Sequence, residues 1–445
     1  MRHLSAGLAL CVGTIAALVP GGTADAMSPA SAPATTLVSV SLDGTPAGGL
    51  SGEPSVSADG RYVAFTSSAV NLVAGDTNRA TDVFVRDRQA GVTTLVSVDS
   101  AGVQANGRSG APSISGDGRY VAFLSNATNL VPGDTNKAQD VFVRDRQTGV
   151  TSRVSATWRG EANGDSFHPA ISADGQLVAY DSFASNLDYG DTNGVHDVFQ
   201  YDRQNDSTRR VSVNPYGFQG NGASQRPSIS SDGQFVAYES DASNLTVFPD
   251  TNHVTDVFVN DRLGFYLYGR TDRVSIIADG TEGDKASRNA VISADGSYVA
   301  YQSYASNLVP GDTNNDSDTF LVNRWTLKVT RLNLLSTGEQ DPDGGTPDVQ
   351  PSISADGRSV AFEAGEEKLV PGDYNNVWDV FVRDRGTATT TRASVADDGT
   401  ETNRDSYTPS ISADGRHVAF QSYATNLAPG SEEWHPNVYM RDLAG

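Results

Sequence analysis

The chain has one cysteine among 445 residues, Cys11, and it lies in an apolar stretch at the N-terminus. Long apolar runs are equally scarce. That stretch, Leu4 to Pro20, follows Met1-Arg2-His3 and leads to Ala24-Asp25-Ala26. The pattern reads as a secretory signal peptide over residues 1–26, with 27–34 as a short linker. It is too short for a comfortable membrane span, and no second apolar run follows, so a secreted product with no membrane span is expected. Acylation at Cys11 is excluded on this reading, because Leu10 stands where a small residue is needed. Cleavage after Ala26 leaves no cysteine, which excludes disulfides and thiolate catalysis. Basic residues are also short: 32 Lys and Arg face 54 Asp and Glu, for a net charge of -22. The leader removes Arg2 and Asp25 together, so the balance persists and excludes nucleic acid as a partner. No G-x-S-x-G and no H-E-x-x-H occurs. The histidines of the mature chain are His168, His196, His253, His417 and His435. Each is read first as structural.

What is abundant is repetition. The phrase that begins at Pro112, PSISGDGRYVAFLSNATNLVPGDTNKAQDVFVRDRQTGVTSRVS, recurs seven times, with Asp-Gly pairs beginning at Asp59, Asp117, Asp174, Asp232, Asp295, Asp356 and Asp414. A fixed period of this kind signals a repeat fold. Each copy holds four strand-like runs, a to d, typified by PSIS, RYVAF, DVFVRD and TSRVSA. Asp-Gly between a and b predicts a two-residue hairpin, and a glycine turn joins c to d. Runs such as Val121-Ala122-Phe123 and Val141-Phe142-Val143 are apolar at consecutive positions, so both faces of each sheet must be covered. Four-stranded antiparallel sheets stacked around an axis meet that demand, and the expected fold is all-β, a seven-bladed β-propeller over residues 35–445. The last copy ends after its strand c, while Thr35 to Val40 matches the strand d phrase Thr93 to Val98. The N-terminal strand is therefore expected to close the last blade.

The SADGRYVAF phrase, here Ser57 to Phe65, resembles the strand pair of TolB-like, or WD40-like, propeller repeats, and the resemblance covers about residues 35 to 445. It implies the fold and leaves the function open, since similar repeats occur in periplasmic translocation proteins, peptidase domains and polysaccharide lyases. Members named for translocation carry a separate N-terminal α/β domain, for which this chain has no room. Some lyases with such repeats use propeller histidines and a divalent metal, which makes His168 and His435 the residues to watch. The WD-repeat family itself fits poorly, because Trp378-Asp379 does not recur.

The best motif beyond the repeat frame is D-x-N-x-x-x-D in the loop from b to c. It groups Asp76, Asn78 and Asp82; Asp134, Asn136 and Asp140; Asp191, Asn193 and Asp197; Asp250, Asn252 and Asp256; Asp312, Asn314 and Asp318; and Asp373, Asn375 and Asp379. The seventh loop has Ser431, Glu433 and Asn437 instead. Closely spaced carboxylates and amides suit Ca²⁺ as a cofactor, and the same residues suit Asx turns that need no metal. Both readings stay open. Meander topology puts the b-to-c loops and d-to-a connectors on one face, with the tight turns on the other. Residues there that break the repeat, namely Trp158, Phe167, His168, Phe183, Tyr216, Phe218 and Tyr407, are candidate ligand-binding residues, with packing between loops as their plainer role. Phe265 to Tyr268 forms a candidate contact patch on the other face. The leading expectation is a monomeric, non-catalytic binding or scaffold module for a protein, peptide or glycan. The alternative is a carbohydrate-active enzyme on the same scaffold.

Overall fold

The computed structural model describes residues 33–443, apart from 158–159, 249, 264–268, 342–344, 348, 366–367 and 433. Blade 1 is a meander of strand a, Ser51–Val56, strand b, Tyr62–Ser67, strand c, Asp82–Asp87, and strand d, Val92–Leu95. Blades 2 to 6 repeat it, with strands a at Ser109–Ile114, Ser166–Ile171, Ser224–Ile229, Ser287–Ile292 and Ser352–Ile353. Blade 7 takes a, b and c from Ser406–Ile411, His417–Ser422 and Asn437–Asp442 and its fourth strand from Ala34–Leu37. Thr35 lies opposite Arg441 there, and the Ser39 hydroxyl donates to Asn437 Oδ1 at 2.8 Å. The ring closes as the repeat count requires, and the seven sheets are each four-stranded and antiparallel.

The apolar runs of b and c fill the space between blades. Val63, Ala64, Phe65, Val83, Phe84 and Val85 are all fully buried, and every blade stacks one aromatic from b on one from c, as Phe65 does on Phe84 with centroids 5.8 Å apart. Strand a is the innermost strand and packs against the strands a of its neighbours. Its free edge would leave ladder groups unpaired. Proline at Pro54, Pro112, Pro169, Pro227 and Pro409 removes one donor from that edge, as suits an edge strand. Serine hydroxyls from the preceding blade take others, as Ser55 Oγ does from the Ile114 N–H at 3.1 Å.

The turn from a to b differs from the expected two-residue hairpin. Ser57 N–H bonds to Tyr62 O, which leaves Ala58 to Arg61 as a four-residue connection, and only Gly60 has a positive φ, of 71°. The reason lies in the ring. Ala58 N–H must reach Gly116 O in the next blade, and the same bond runs from Gly116 to Ala173, Ser231, Ala294, Ala355, Ala413 and back to Ala58, at 2.9 to 3.1 Å. A closed circle of seven backbone hydrogen bonds thus girdles the axis at this end. Only alanine, glycine and serine occupy its positions, because the side chains crowd: a Cβ added at Gly116 would lie 3.2 Å from that of Ala173.

Candidate functional site

The other end of the channel is built from side chains. Strand a carries a bulge there, with register shifts such as that between Gly52 and Ser55. At the bulge Glu53, Ala111, His168, Arg226, Asn289 and Thr408 adopt φ of 46 to 55°, a conformation that costs a non-glycine residue about 1 kcal/mol. The backbone N–H groups of four of them are held by acids of the preceding blade. Ala111 donates to Glu53 Oε2 at 2.9 Å, Arg226 to Asp181 Oδ1 at 3.1 Å and Asn289 to Glu239 Oε2 at 2.8 Å, and Thr408 donates to Glu363 Oε1.

Three of these acids share one column of strand b: Thr66, Leu124, Asp181, Glu239, Gln302, Glu363 and Gln421. The column is almost wholly buried in blades 3 to 6, yet its residues are charged or amide-bearing. Asp181 is the best satisfied. His168 and His196 each bond to it through Nδ1 at 2.8 Å, one on each oxygen. An ionised carboxylate only accepts, so Nδ1 carries the proton in both rings and Nε2 is the atom left to meet a ligand. Burial opposes the charge of Asp181, but the bonds from His168 and His196 outweigh it and hold the carboxyl below its usual value. Phe167 and Phe183 pack against His196, and Phe183 remains 53% exposed, so an aromatic edge borders the acid. Glu239 meets Gln225 Nε2 at 3.0 Å besides Asn289, and burial pushes its carboxyl up. Among the described residues Glu363 has a single hydrogen-bond partner, the Thr408 N–H, and burial pushes its carboxyl up to about 7.

The same columns hold mostly small residues in blades 1 and 2, where Gly52, Thr66, Gly110 and Ala111 take places that Phe167, Asp181 and His168 hold in blade 3, with Glu53 and Leu124 as the larger members. The mouth is therefore lopsided, with mostly small residues and the single acid Glu53 on one side and acids, arginines, histidines and aromatics on the other.

Of the residues singled out in the sequence, Phe167, His168 and Phe183 come together around Asp181 and His196. Tyr407 sits across the mouth against Tyr423, with ring centroids 6.4 Å apart. Tyr216 and Phe218 lie exposed in an outer connector, and among the described residues no ring contact joins them to the group. Trp158 and the Phe265 to Tyr268 patch fall outside the described residues. His435 bonds to Glu432 in the loop of blade 7, apart from His168. The strand b acids escaped the sequence reading because VAF reads as core. Aligning the seven copies exposes them, since the column varies between an invariant aromatic position and a serine in six copies.

The D-x-N-x-x-x-D loops show the local bonds of Asx turns. In blade 1 Asn78 accepts Ala80 N–H at 2.8 Å and donates to Asp82 at 2.8 Å, and Ser97 donates to Asp82 at 2.6 Å. In blades 2 to 6 an arginine from the end of strand d lies between the two acids. Arg331 is 2.8 Å from Asp312 and 3.4 Å from Asp318, and Arg153, Arg210, Arg273 and Arg392 repeat the arrangement. Those five donor sets fit a guanidinium, which occupies the position a cation would need. Blade 1 has Leu95 in place of the arginine, and Gln104 donates to Asp76 at 2.8 Å and Asp82 at 2.9 Å. Among the described residues no group of three or more His, Cys, Asp and Glu is placed to hold a metal ion. No described helix is long and apolar enough to cross a membrane.

No protein-family model matches the chain, and no curated protein sequence matches it. Solved structures do. An oligogalacturonate lyase from Vibrio parahaemolyticus superposes with a TM-score of 0.53 at 13% identity, over 93% of this chain and 98% of that one, and an oligogalacturonate lyase in complex with manganese gives the same TM-score. The β-propeller domain of the Trilobed protease from Pyrococcus furiosus gives 0.52 at 11% identity, over 84% and 91%. TolB from Acinetobacter baumannii gives 0.41 at 15% identity over 79% of this chain, which spans 65% of that protein's length. At such identities the likeness to the lyases and the protease propeller domain is one of fold alone, and this chain is itself a seven-bladed propeller.

Proposed function

We propose that the protein is an exported, non-catalytic binding module whose ligand seats in the lopsided mouth, against blades 3 to 7. One observation carries the reading. The positions that ring this mouth differ from blade to blade, while the residues beside them in the same strands repeat. Structural periodicity does not demand His168, Arg226, Trp378 or Tyr407, and three of them, His168, Arg226 and Tyr407, lie on the innermost strands a. The aromatic edges at Phe167 with Phe183 and at Tyr407 with Tyr423 suit a glycan or a peptide ring. On this reading calcium belongs, if anywhere, to the loop of blade 1, where Asp76 and Asp82 lack a guanidinium.

The test is a glycan and peptide array probed with the wild type, Phe183→Ala, Trp378→Ala and the outer-connector variant Tyr216→Ala. Ligands of the mouth are lost in the first two variants and kept in the third. The opposite pattern would refute this placement.

A second reading, a carbohydrate-active enzyme, draws support from the paired Nε2 atoms of His168 and His196 over one buried acid. The fold likeness to an oligogalacturonate lyase agrees with it. Turnover of any array ligand that disappears in His168→Ala but survives in His435→Ala would put this reading first.

A further inference from the structure

We infer that the wall between blades 6 and 7 grips a primary ammonium group of the ligand, between the carboxylate of Glu363 and the hydroxyl of Thr408, and that the ligand is an amino-sugar oligosaccharide. The inference rests on the mouth being the ligand site.

Glu363 is 2% exposed, and its Oε1 accepts the backbone N–H of Thr408. Among the described residues its Oε2 is buried with no hydrogen-bond partner, and so is the Thr408 hydroxyl. The two bare atoms belong to residues already joined by that backbone bond, which holds their side chains on the same stretch of the wall. Blades 3 and 4 show what is missing. There the equivalent acids have donors on both oxygens: His168, Arg226 N–H and His196 on Asp181, and Gln225 and Asn289 on Glu239. In blade 6 the position of His196 is Trp378, and Gln350, which stands where His168 does, spends its amide on Ala290 O at 2.9 Å. Leaving a buried acceptor unbonded costs about 1 to 3 kcal/mol, more for a charged one, so the arrangement favours a donor brought by a ligand.

The geometry narrows that donor. A quaternary ammonium has no N–H to give. A guanidinium binds best across both oxygens of a carboxylate, and here one is taken by Thr408. A primary ammonium offers several N–H groups from a single point and can reach an acid and a hydroxyl together. Aromatic rings flank the spot: Tyr407 meets Tyr423 edge to face, and Trp378 lies against Gly365, where a Cβ would come within 3.4 Å of the indole. Such faces favour a cation and can stack a sugar ring whose amine reaches the acid.

The experiment is calorimetric titration at about pH 6 with a glucosamine tetramer, its fully N-acetylated counterpart and a tetralysine peptide. The free-amine sugar is expected to bind at least about tenfold more tightly than the acetylated one, and that preference to vanish in Glu363→Gln. Titrations in buffers of different ionisation enthalpy should show proton release on binding, since Glu363 is mostly protonated below about 7 and the ammonium needs it ionised. Glu363→Gln keeps the acceptor for Thr408, and its melting curve checks that it folds. Equal binding of the two sugars, no binding of the free amine, no proton release, or a preference undiminished in Glu363→Gln would each overturn the inference. Tighter binding of tetralysine than of the sugar would overturn the amino-sugar assignment. The mouth reading fails separately, when array ligands bind Phe183→Ala and Trp378→Ala as they bind the wild type.

Discussion

The two mouths of the channel are made of different materials. One is a circle of backbone hydrogen bonds through Ala58, Gly116, Ala173, Ser231, Ala294, Ala355 and Ala413, and it demands a small residue from every blade. The other is made of side chains on bulged strands, where the backbone bonds are handed to carboxylates and the residues are free to diverge. Uniformity at one end supplies the rigidity on which variety at the other depends. A propeller of near-identical blades can thus hold a site with no symmetry.

The largest expected effect strikes the seam common to both ends. Removing Thr35 to Ser41 strips blade 7 of its fourth strand, unseats buried Val38 and leaves an open edge, and should cost more than about 5 kcal/mol. A melting temperature equal to that of the intact chain would show that the ring does not depend on this strand. Arg153→Ala comes next. It removes the guanidinium that pairs with Asp134, Asp140 and Glu161, at a cost of about 3 to 5 kcal/mol, and millimolar Ca²⁺ should recover part of the loss. Wild-type protein should be far less sensitive to EDTA than this variant, and the comparison of melting curves decides it.

Glu363→Gln sets ligand binding against stability. The carboxyl titrates near 7 in the fold against an ordinary 4.5, so the unfolded chain ionises first, and the wild type loses stability as pH rises between those values. The variant, which carries no such group, should match the wild type near about pH 4. It should exceed the wild type by up to about 3 kcal/mol at about pH 8. Denaturant curves at the two pH values test this, and a constant difference would refute it. The smallest effect compares the mouths directly. Ala173→Leu in the backbone circle should cost about 1 to 3 kcal/mol by overpacking, whereas Asn126→Tyr, exposed at the other mouth, should stay within about 0.5 kcal/mol. Equal losses would erase the distinction drawn between the two ends.

Blade number, strand order and the closing strand were legible because they follow from a period and from a missing fourth run that reappears at Thr35. The turn at Asp59-Gly60 was misjudged for a physical reason: local preference favours a tight hairpin, but Ala58 is recruited by a neighbouring blade. The site was half legible. Phe167, His168 and Phe183 broke the repeat visibly. Asp181, Glu239 and Glu363 did not, since they sit inside strands whose other residues are core, and it is the bulge in strand a of the next blade that presents a backbone N–H to each of them. The arginines at Arg153, Arg210, Arg273, Arg331 and Arg392 were visible one by one, yet their place between paired aspartates depends on strands folding back beside the loops.

The pairing of Thr35 with Arg441 sets an order of events in synthesis. The first strand to emerge is the last to find its partner, because some 400 residues must follow before blade 7 exists to receive it. Six blades can form in sequence as the chain appears, each covering its predecessor. Through that interval the segment around Thr35 has no strand c to pair with, and the seventh blade is complete only when Asn437–Asp442 has been made.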